Sequence, residues 1–395
     1  MNAQDKGSLN INNLFLNYFN FNEKDDYNWK IVNTIKQEDK NDIEINLYFG
    51  KNKKEQNSII FVKEIKFSFE TNNYEIKKLL KEIYFLILLR KYEYFIKLDD
   101  MILFNESETK KRIYLIFKEN NISLFDIINI YNKNEKGHNG NDKIIEDKSL
   151  LKYIIYQISF ALYTLHSINI VHNNLKLENI LINSNGRISI CDFSSMSYKG
   201  EDSALCTLPY SSPEFLNNIL IVRDEKFDMW ALGVIILEVF LKTAEFFKKD
   251  EKNKEEIGYK KQIYNQLNNI LASFGITKNL TEKEINEILY NDSNENYKIQ
   301  FTKEVEEKIN DENILDLLNN LLVLNPNKRY SAEQVLKSPY LKEYSEFFNN
   351  IDLPEFNRIE KSMNYENDYR NYFNEEIDKT KFYIIFKVLE SKLRN

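Results

Sequence analysis

The residues best suited to chemistry lie in the stretch 172–179, His-Asn-Asn-Leu-Lys-Leu-Glu-Asn, which apolar residues flank on both sides. An imidazole (His172), a cation (Lys176) and three amides stand in this stretch. An amide is neutral, so Asn174 is a poor proton acceptor and carries no charge that would orient a nucleophile. The stretch is therefore rich in polar groups, while Asn174 is unsuited to general-base catalysis.

The segments that must position this stretch follow it along the chain. Two short apolar runs flank Ser-Asn-Gly at 184–186, and Asn-Gly between such runs predicts a β-hairpin. The second run leads into Cys-Asp-Phe-Ser at 191–194, and Ser-Pro-Glu follows at 212–214. The apolar segment 228–241 predicts a buried helix.

In this order and at this spacing, the motifs resemble those of the eukaryotic protein kinases. Residues 172–179 are similar to the catalytic loop H-R-D-L-x-x-x-N, with Asn173 in the Arg slot. Asn174 fills the slot of the Asp that accepts the proton of the substrate hydroxyl. Residues 192–194 resemble D-F-G with Ser194 at the Gly. The pattern of the catalytic loop is retained while the Asp that acts as its base is absent, a combination typical of a pseudokinase.

Further motifs extend the resemblance over residues 25–341. Arg329 stands where kinases place the Arg that pairs with the Glu of A-P-E, which 212–214 resembles. Residues 206–214 are similar to V-T-L-W-Y-R-A-P-E of the CMGC branch, which contains the cyclin-dependent kinases. The resemblance implies an α+β, bilobal protein-kinase-like fold, with a small β-rich N-lobe and a larger helical C-lobe. Residues 76–82 lack the cyclin-contacting P-S-T-A-I-R-E pattern, so a cyclin is not an expected partner.

The resemblance also implies a site for ATP and Mg²⁺. Lys63 would hold the nucleotide phosphates and pair with Glu82 on the following helix. Asp192 and Asn179 match the two magnesium ligands of the family, and oxygen ligands suit this hard ion. Lys176 matches the Lys that steadies the transferred phosphate. The alternative for all of them is inheritance without use, because residues of a decayed site also hold the fold.

The run that corresponds to the phosphate-covering loop of kinases, residues 35–43, contains no glycine. Kinases use G-x-G-x-x-G there because backbone amides must approach the phosphates without a Cβ in the way. Glu38, Asp39 and Asp42 would also place negative charge near a triphosphate. We interpret the run as a solvated hairpin turn.

Phe61 occupies the Ala slot of a V-A-I-K-like run, where the family packs the adenine ring against a residue that Leu181 matches. A phenyl ring adds several heavy atoms to a close-packed slot. We predict that Phe61 fills part of the adenine pocket. The alternative is that the strand shifts and the pocket survives.

Asn173 also departs from the family, because the Arg it replaces docks a phosphorylated activation loop in many kinases. Phosphate on Ser197, Ser203 or Thr207 would find no family-type cationic receptor. We therefore expect no control by phosphorylation of this loop.

Composition excludes several other classes of protein. The chain has 395 residues, 43% of them hydrophobic, which favours a globular protein of more than one lobe over a disordered one. A net charge of -7 disfavours nucleic-acid binding. The longest apolar run is too short to span a membrane. Two cysteines, Cys191 and Cys206, and a polar N-terminus without a signal peptide favour an intracellular protein of the cytoplasm or nucleus.

The chain divides into three predicted parts. Residues 1–26 form an N-terminal arm, either disordered or docked through aromatic side chains. Residues 27–341 form the kinase-like domain, with its N-lobe over 27–118 and its C-lobe over 119–341, and a polar, flexible insertion at 131–148. Residues 342–395 form a C-terminal extension, whose helical periodicity covers 379–393. The predicted strands and helices of the domain are 29–35, 43–49, 59–66, 74–89, 96–103, 112–117 and 150–166.

The leading functional hypothesis is a catalytically inactive or severely impaired kinase-like protein that acts as a scaffold or allosteric signalling partner. Its partners would be proteins, such as an active kinase or its substrate. The alternative is an active or weakly active ATP-dependent Ser/Thr kinase, which nucleotide affinity would distinguish. A third hypothesis is an interaction module whose C-terminal helix does the work, which deletion of the tail would distinguish.

Overall fold

The computed structural model describes residues 24–26, 29–40, 43–52, 59–70, 73–118, 121–134, 146–201, 207–218, 222–244, 246–247, 259–277, 280–290, 299–344, 372–373 and 377–394. These residues form two compact units. The first takes its residues from Met1–Ile122, Leu181–Ser194 and Arg358–Asn395, and the second takes them from Ser123–Ile180 and Ser195–Asn357. Most of the predicted N-terminal arm, with its aromatic side chains, lies outside the described residues.

The strands of the described residues are β1 Lys24–Asp26, β2 Trp29–Lys40, β3 Ile43–Asn52, β4 Ile59–Ser68, β5 Asp100–Asn105, β6 Lys110–Phe117, β7 Ile122–Ser123, β8 Ile170–Val171, β9 Ile180–Ile182, β10 Ile188–Ile190 and β11 Ser197–Tyr198. The α-helices are α1 Asn73–Leu89, α2 Leu124–Asn134, α3 Lys148–Ser167, α4 Pro213–Asn217, α5 Glu225–Leu241, α6 Tyr259–Ser273, α7 Glu282–Tyr290, α8 Lys303–Ile309, α9 Glu312–Leu321, α10 Ala332–Leu336 and α11 Lys379–Arg394.

The first unit is built on a six-stranded antiparallel sheet in the order β1-β2-β3-β4-β6-β5. Side chains alternate between its faces, so Phe61 and Lys63 lie on one face of β4 while Val62 and Glu64 lie on the other. Val62 is fully buried in an apolar cluster with Tyr114 and its neighbours. The sheet therefore presents Lys63 on the opposite face from this cluster.

The β9–β10 hairpin confirms the Asn-Gly prediction. Gly186 has φ 75°, a left-handed conformation that suits glycine, and its N–H donates to the carbonyl of Asn183. The Asn183 side chain accepts from the backbone N–H groups of Asn185 and Arg187. The hairpin delivers Asp192 directly after β10.

The second unit is helical and is organised around α5. Asp224 caps this helix by accepting from the backbone N–H of Lys226, which is why it begins before the predicted residue 228. Twelve of its residues are buried, including Trp230. In the same unit β8 pairs with β11, with Ser197 opposite Val171.

Several predicted elements differ in extent from the structure; the strand expected over 29–35, for example, continues to Lys40. The strand expected over 96–103 begins only at Asp100, because the backbone of Phe95 and Ile96 pairs instead with Ile190. Residues 131–134, at the start of the predicted insertion, belong to α2, which runs to Asn134, while residues 135–145 lie outside the described part of the chain. Tyr131 is held in α2 by Lys242, which donates to its hydroxyl over 2.7 Å.

Within the described part of the chain, none of the helices has both the length and the apolar character needed to cross a bilayer. The boundaries predicted for the arm, the kinase-like domain and the extension stay predictions. Helix α11, which lies in the predicted extension, belongs to the first unit.

Candidate active site

The first unit holds a close ion pair between Lys63 on β4 and Glu82 on α1. Lys63 Nζ lies 2.6 Å from Glu82 Oε1 and 2.8 Å from Oε2. The two side chains are only 17% and 9% exposed. Burial by itself would lower the pKa of Lys63, but the charges of Glu82 and Asp192 outweigh it and raise the pKa above its ordinary value. Lys63 is therefore held as a cation.

Asp192 follows the hairpin in a left-handed conformation, with φ 62°. The hydroxyl of Ser194 donates to Asp192 Oδ1 over 2.7 Å. Phe193 is fully buried, with its ring 6.2 Å from that of Phe95. The buried Phe193 fixes the backbone that presents Asp192, and Ser194 occupies one acceptor position of its carboxylate.

Phe61 lies in a row of three phenylalanines that crosses the sheet on the face that bears Lys63. The strand register places Phe49, Phe61 and Phe117 side by side on β3, β4 and β6. The Phe61 ring lies 6.0 Å from the Phe49 ring and 5.9 Å from the Phe117 ring. Phe61 and Leu181 are both half-buried. The blocking of adenine by Phe61 stays a prediction.

Sequence reasoning missed Phe49 and Phe117 as neighbours of Phe61. Each is an ordinary strand phenylalanine in its own segment, and only the pairing of three strands brings them together. The strand register could have identified them, but register depends on the pairing of strands and no single segment shows it.

The glycine-free run belongs to the β2–β3 hairpin. Pairing of the two strands continues up to Lys40 opposite Ile43, so residues 41–42 alone connect them. The register shifts at two places nearer the start of β2. The backbone fits the hairpin interpretation, while the side chains of Glu38, Asp39 and Asp42 lie outside the described residues.

In the second unit, Asn174 is held by hydrogen bonds on both its side chain and its backbone. The hydroxyl of Thr207 donates to Asn174 Oδ1 over 2.8 Å. The amide of Asn179 donates to the Asn174 carbonyl over 2.9 Å, and the Asn174 N–H donates to His172 Nδ1. A neutral side chain thus has a fixed place in the loop without offering a titratable oxygen.

Asn173 ties the loop to the segment that follows the hairpin. Its Nδ2 donates to the Ser195 carbonyl over 3.0 Å and to Ser197 Oγ over 2.9 Å. Its backbone, at φ 64°, donates to Asp228 Oδ1. Its own Oδ1 is buried without a donor among the described residues. A neutral amide therefore performs a tethering role that sequence reasoning did not assign to it.

Lys176 is half-buried in the same loop, and Asn179 is buried. Asn179 and Asn174 are directly hydrogen-bonded, as described above. Lys63, Glu82, Phe61, Leu181 and Asp192 belong instead to the first unit. The sequence-predicted residues therefore fall into two sets. The set in the first unit has three charged and two apolar side chains, and in the set of the second unit Lys176 is the single cation.

Two buried carboxylates support the second set. Burial would raise the pKa of Asp228, but hydrogen bonds from His166 and the backbone of His172 lower it below its usual range. Arg329 forms a bidentate pair with Glu214 at 2.8 and 3.0 Å, and both side chains are buried. Of the two, Asp228 holds the loop directly, because it accepts from the backbone N–H groups of His172 and Asn173.

Comparison with known proteins gives a consistent picture. The family model described as Protein kinase domain matches residues 48–341. Mitogen-activated protein kinase 13 of Arabidopsis thaliana is 26% identical over 302 residues, which cover 74% of this chain and 75% of that protein. Mitogen-activated protein kinase mpkC of Aspergillus clavatus is 30% identical over 226 residues, 53% of this chain and 56% of that protein.

A solved structure agrees with this likeness at the level of the fold. MAP kinase LmaMPK10 from Leishmania major superposes with a TM-score of 0.60 at 19% sequence identity. The match covers 93% of this chain and 94% of that one. The α+β, bilobal prediction, with a β-rich N-lobe and a helical C-lobe, is confirmed. The narrower likeness to cyclin-dependent kinases stays a prediction, because these relatives are mitogen-activated protein kinases.

Proposed function

The chain belongs to the protein kinase domain family, and we propose that it is a catalytically inactive or severely impaired member. It would act as a scaffold or allosteric signalling partner for other proteins, such as an active kinase or its substrate. The observation that carries the proposal is Asn174, whose amide accepts from Thr207 in the slot of the family's catalytic Asp. General-base catalysis contributes about 10²–10⁴ in rate, and an amide does not supply it.

Kinases of this family use ATP and Mg²⁺, and here we propose that the binding site for both is weak or vestigial. The resemblance gives Asp192 and Asn179 as the magnesium ligands and Lys63 as the phosphate contact. Each of these side chains offers an oxygen, which suits a hard cation, although Asp192 is the single charged one and already accepts from Ser194. When bound, the ion would neutralise charge on the phosphates.

The second candidate is an active or weakly active Ser/Thr kinase. The closed pair between Lys63 and Glu82 favours it, because kinases need this contact for phosphoryl transfer. The relatives' names, mitogen-activated protein kinases, favour it too. For either function we place the protein inside the cell, in the cytoplasm or nucleus.

A phosphotransfer assay separates the two candidates. The full chain would be incubated with labelled ATP, Mg²⁺ and a generic substrate protein, beside Asp192→Ala as control. We expect residual or no transfer, equal in the two proteins. Turnover at ordinary kinase rates, about 1–100 s⁻¹, that Asp192→Ala abolishes would overturn the proposal.

A further inference from the structure

Glu64 is a carboxylate buried in the middle of the six-stranded sheet, outside the candidate active site. Only 3% of its surface is exposed. It directly follows Lys63 on β4 and lies on the opposite face of the sheet. Burial by itself would raise the pKa of Glu64, but hydrogen bonds from Tyr48, Asn46 and Tyr114 lower it below its ordinary value. Glu64 is therefore held as a buried anion.

Donors from the strands on both sides of β4 converge on this carboxylate. From β3, Asn46 Nδ2 donates to Glu64 Oε2 over 2.8 Å, and the Tyr48 hydroxyl donates to the same oxygen over 2.7 Å. From β6, the Tyr114 hydroxyl donates to Glu64 Oε1 over 2.8 Å, and Arg112 Nη1 lies 3.2 Å from that oxygen. Asn46 and Tyr114 stand directly opposite Glu64 in the strand register. One side chain thus joins three neighbouring strands.

The apolar side chains of β4 do not fix its register by themselves. Ile60 and Val62 are buried on the face that bears Glu64, and Ile65 and Phe67 are buried on the other face. Because side chains alternate with a period of two, a slip of two residues, about 7 Å, would keep apolar residues on both faces. A polar group that finds its partners in one register only can distinguish these alternatives.

A slip of two residues in either direction would worsen the surroundings of Glu64. One slip moves it to the present position of Lys66, opposite the like charge of Glu44. The other moves it to the present position of Val62, opposite the buried, apolar Ile116. The present register is the favourable one, because here the carboxylate accepts three hydrogen bonds.

The register of β4 also sets the place of Lys63. Lys63 lies opposite Leu47 and Leu115, and its Nζ is 2.6 Å from Glu82 Oε1. A displacement of about 7 Å along the strand would break that contact. We infer that Glu64 is a positioning residue, which fixes the register of β4 against β3 and β6 and so holds Lys63 at Glu82. This role goes beyond the proposed function and does not rest on it, because it is the same in an inactive protein and in an active kinase.

Methyl NMR of the full chain, with labelled isoleucine δ1-methyl groups, measures the register directly. Ile45, Ile65 and Ile113 lie side by side on β3, β4 and β6, on the face opposite Glu64. In the unchanged protein, Ile65 should show nuclear Overhauser effects to both neighbours. Glu64→Leu should weaken both effects and raise the population of a second Ile65 signal by on the order of tenfold, because a leucine no longer distinguishes the registers. Glu64→Gln, which keeps an acceptor oxygen, should retain the single signal.

Asn46→Val/Tyr48→Phe is a second, milder variant, and it replaces Glu64→Leu if that variant does not fold. It deletes both donors from β3 and leaves those from β6 in place. We therefore expect the effect between β3 and β4 to weaken while the effect between β4 and β6 stays. General destabilisation of the sheet would not select one of the two strand pairs.

The matched control is Val62→Ala, which shortens a fully buried side chain on the same face of β4. It should lower the free energy of unfolding and leave both effects of Ile65 unchanged, because it removes no hydrogen bond. Both effects intact in a folded Glu64→Leu or in the β3 variant, or equal losses in Val62→Ala, would overturn the inference.

Discussion

Charge is kept at the Lys63–Glu82 pair of the first unit and replaced by amides at Asn173 and Asn174 of the second. Lys63 is largely buried, so losing its carboxylate partner would leave a cation without compensation. Asn173 and Asn174 instead keep hydrogen bonds that need no charge. The comparison leads us to expect that a hydrogen-bonded position tolerates neutralisation, whereas a buried ion pair does not.

The largest expected effect concerns catalysis at the neutral position. Asn174→Asp supplies a base, a group worth about 3–5 kcal/mol of barrier. We nevertheless expect it to restore no robust phosphotransfer, because Phe61 and the glycine-free run remain. Initial rates of transfer from labelled ATP would measure this. Robust turnover by this one variant would mean that the nucleotide site is intact and that Asn174 is its single lesion.

Removing the charge of Glu82 should destabilise the fold. Glu82→Gln should lower the free energy of unfolding by about 3 kcal/mol, since it leaves Lys63 without a counter-charge. Urea unfolding measures the change. The control is Glu333→Gln, which breaks a solvent-exposed pair with Lys337 and should cost far less. Equal costs for the two variants would break the comparison.

Phe61→Ala should open space on the Lys63 face and improve nucleotide binding. Its ring is half-buried, so the free energy of unfolding should fall by about 2 kcal/mol, less than for a fully buried phenylalanine. Thermal-shift titration should show almost no effect of millimolar ATP on the unchanged protein. The affinity for adenosine should increase more than the affinity for ATP, because the resemblance implies that three acidic residues of the glycine-free run would repel a triphosphate.

The control for this variant is Phe104→Ala. Phe104 is also half-buried, but it packs in the cluster on the opposite face of the sheet. It should cost similar stability and leave adenosine binding unchanged. Tight ATP binding by the unchanged protein would contradict the prediction and favour the active-kinase alternative.

The smallest expected effect concerns Asn173, whose neutral side chain donates to Ser195 and Ser197. Asn173→Ala removes the hydrogen bonds to Ser195 and Ser197 and should lower the free energy of unfolding by about 1 kcal/mol. Limited proteolysis should show faster cleavage near residues 195–201. Asn183→Ala, which removes two hydrogen bonds in the hairpin turn, should cost similar stability without that cleavage. Equal cleavage in both variants would argue against a tether.

Local signals predicted the hairpin at Gly186 and the helix α5, because a turn and an apolar run act through neighbouring residues. The Lys63–Glu82 contact came from family resemblance instead. The Phe49–Phe61–Phe117 row depends on the register of three strands, and the hydrogen bond of Asn73 with Ile377 joins positions 304 residues apart. Such contacts arise from tertiary packing, which no segment encodes alone.

Ser194 gives the carboxylate of Asp192 a donor that belongs to the chain itself. The hydroxyl takes one of the acceptor positions of this carboxylate, so a cation arriving at Oδ1 would share that oxygen with Ser194. The same hydroxyl gives Asp192 Oδ1 a hydrogen-bond donor, so this oxygen has a partner without a bound ion. Ser194 therefore helps to hold the Asp192 carboxylate in place through a contact within the chain.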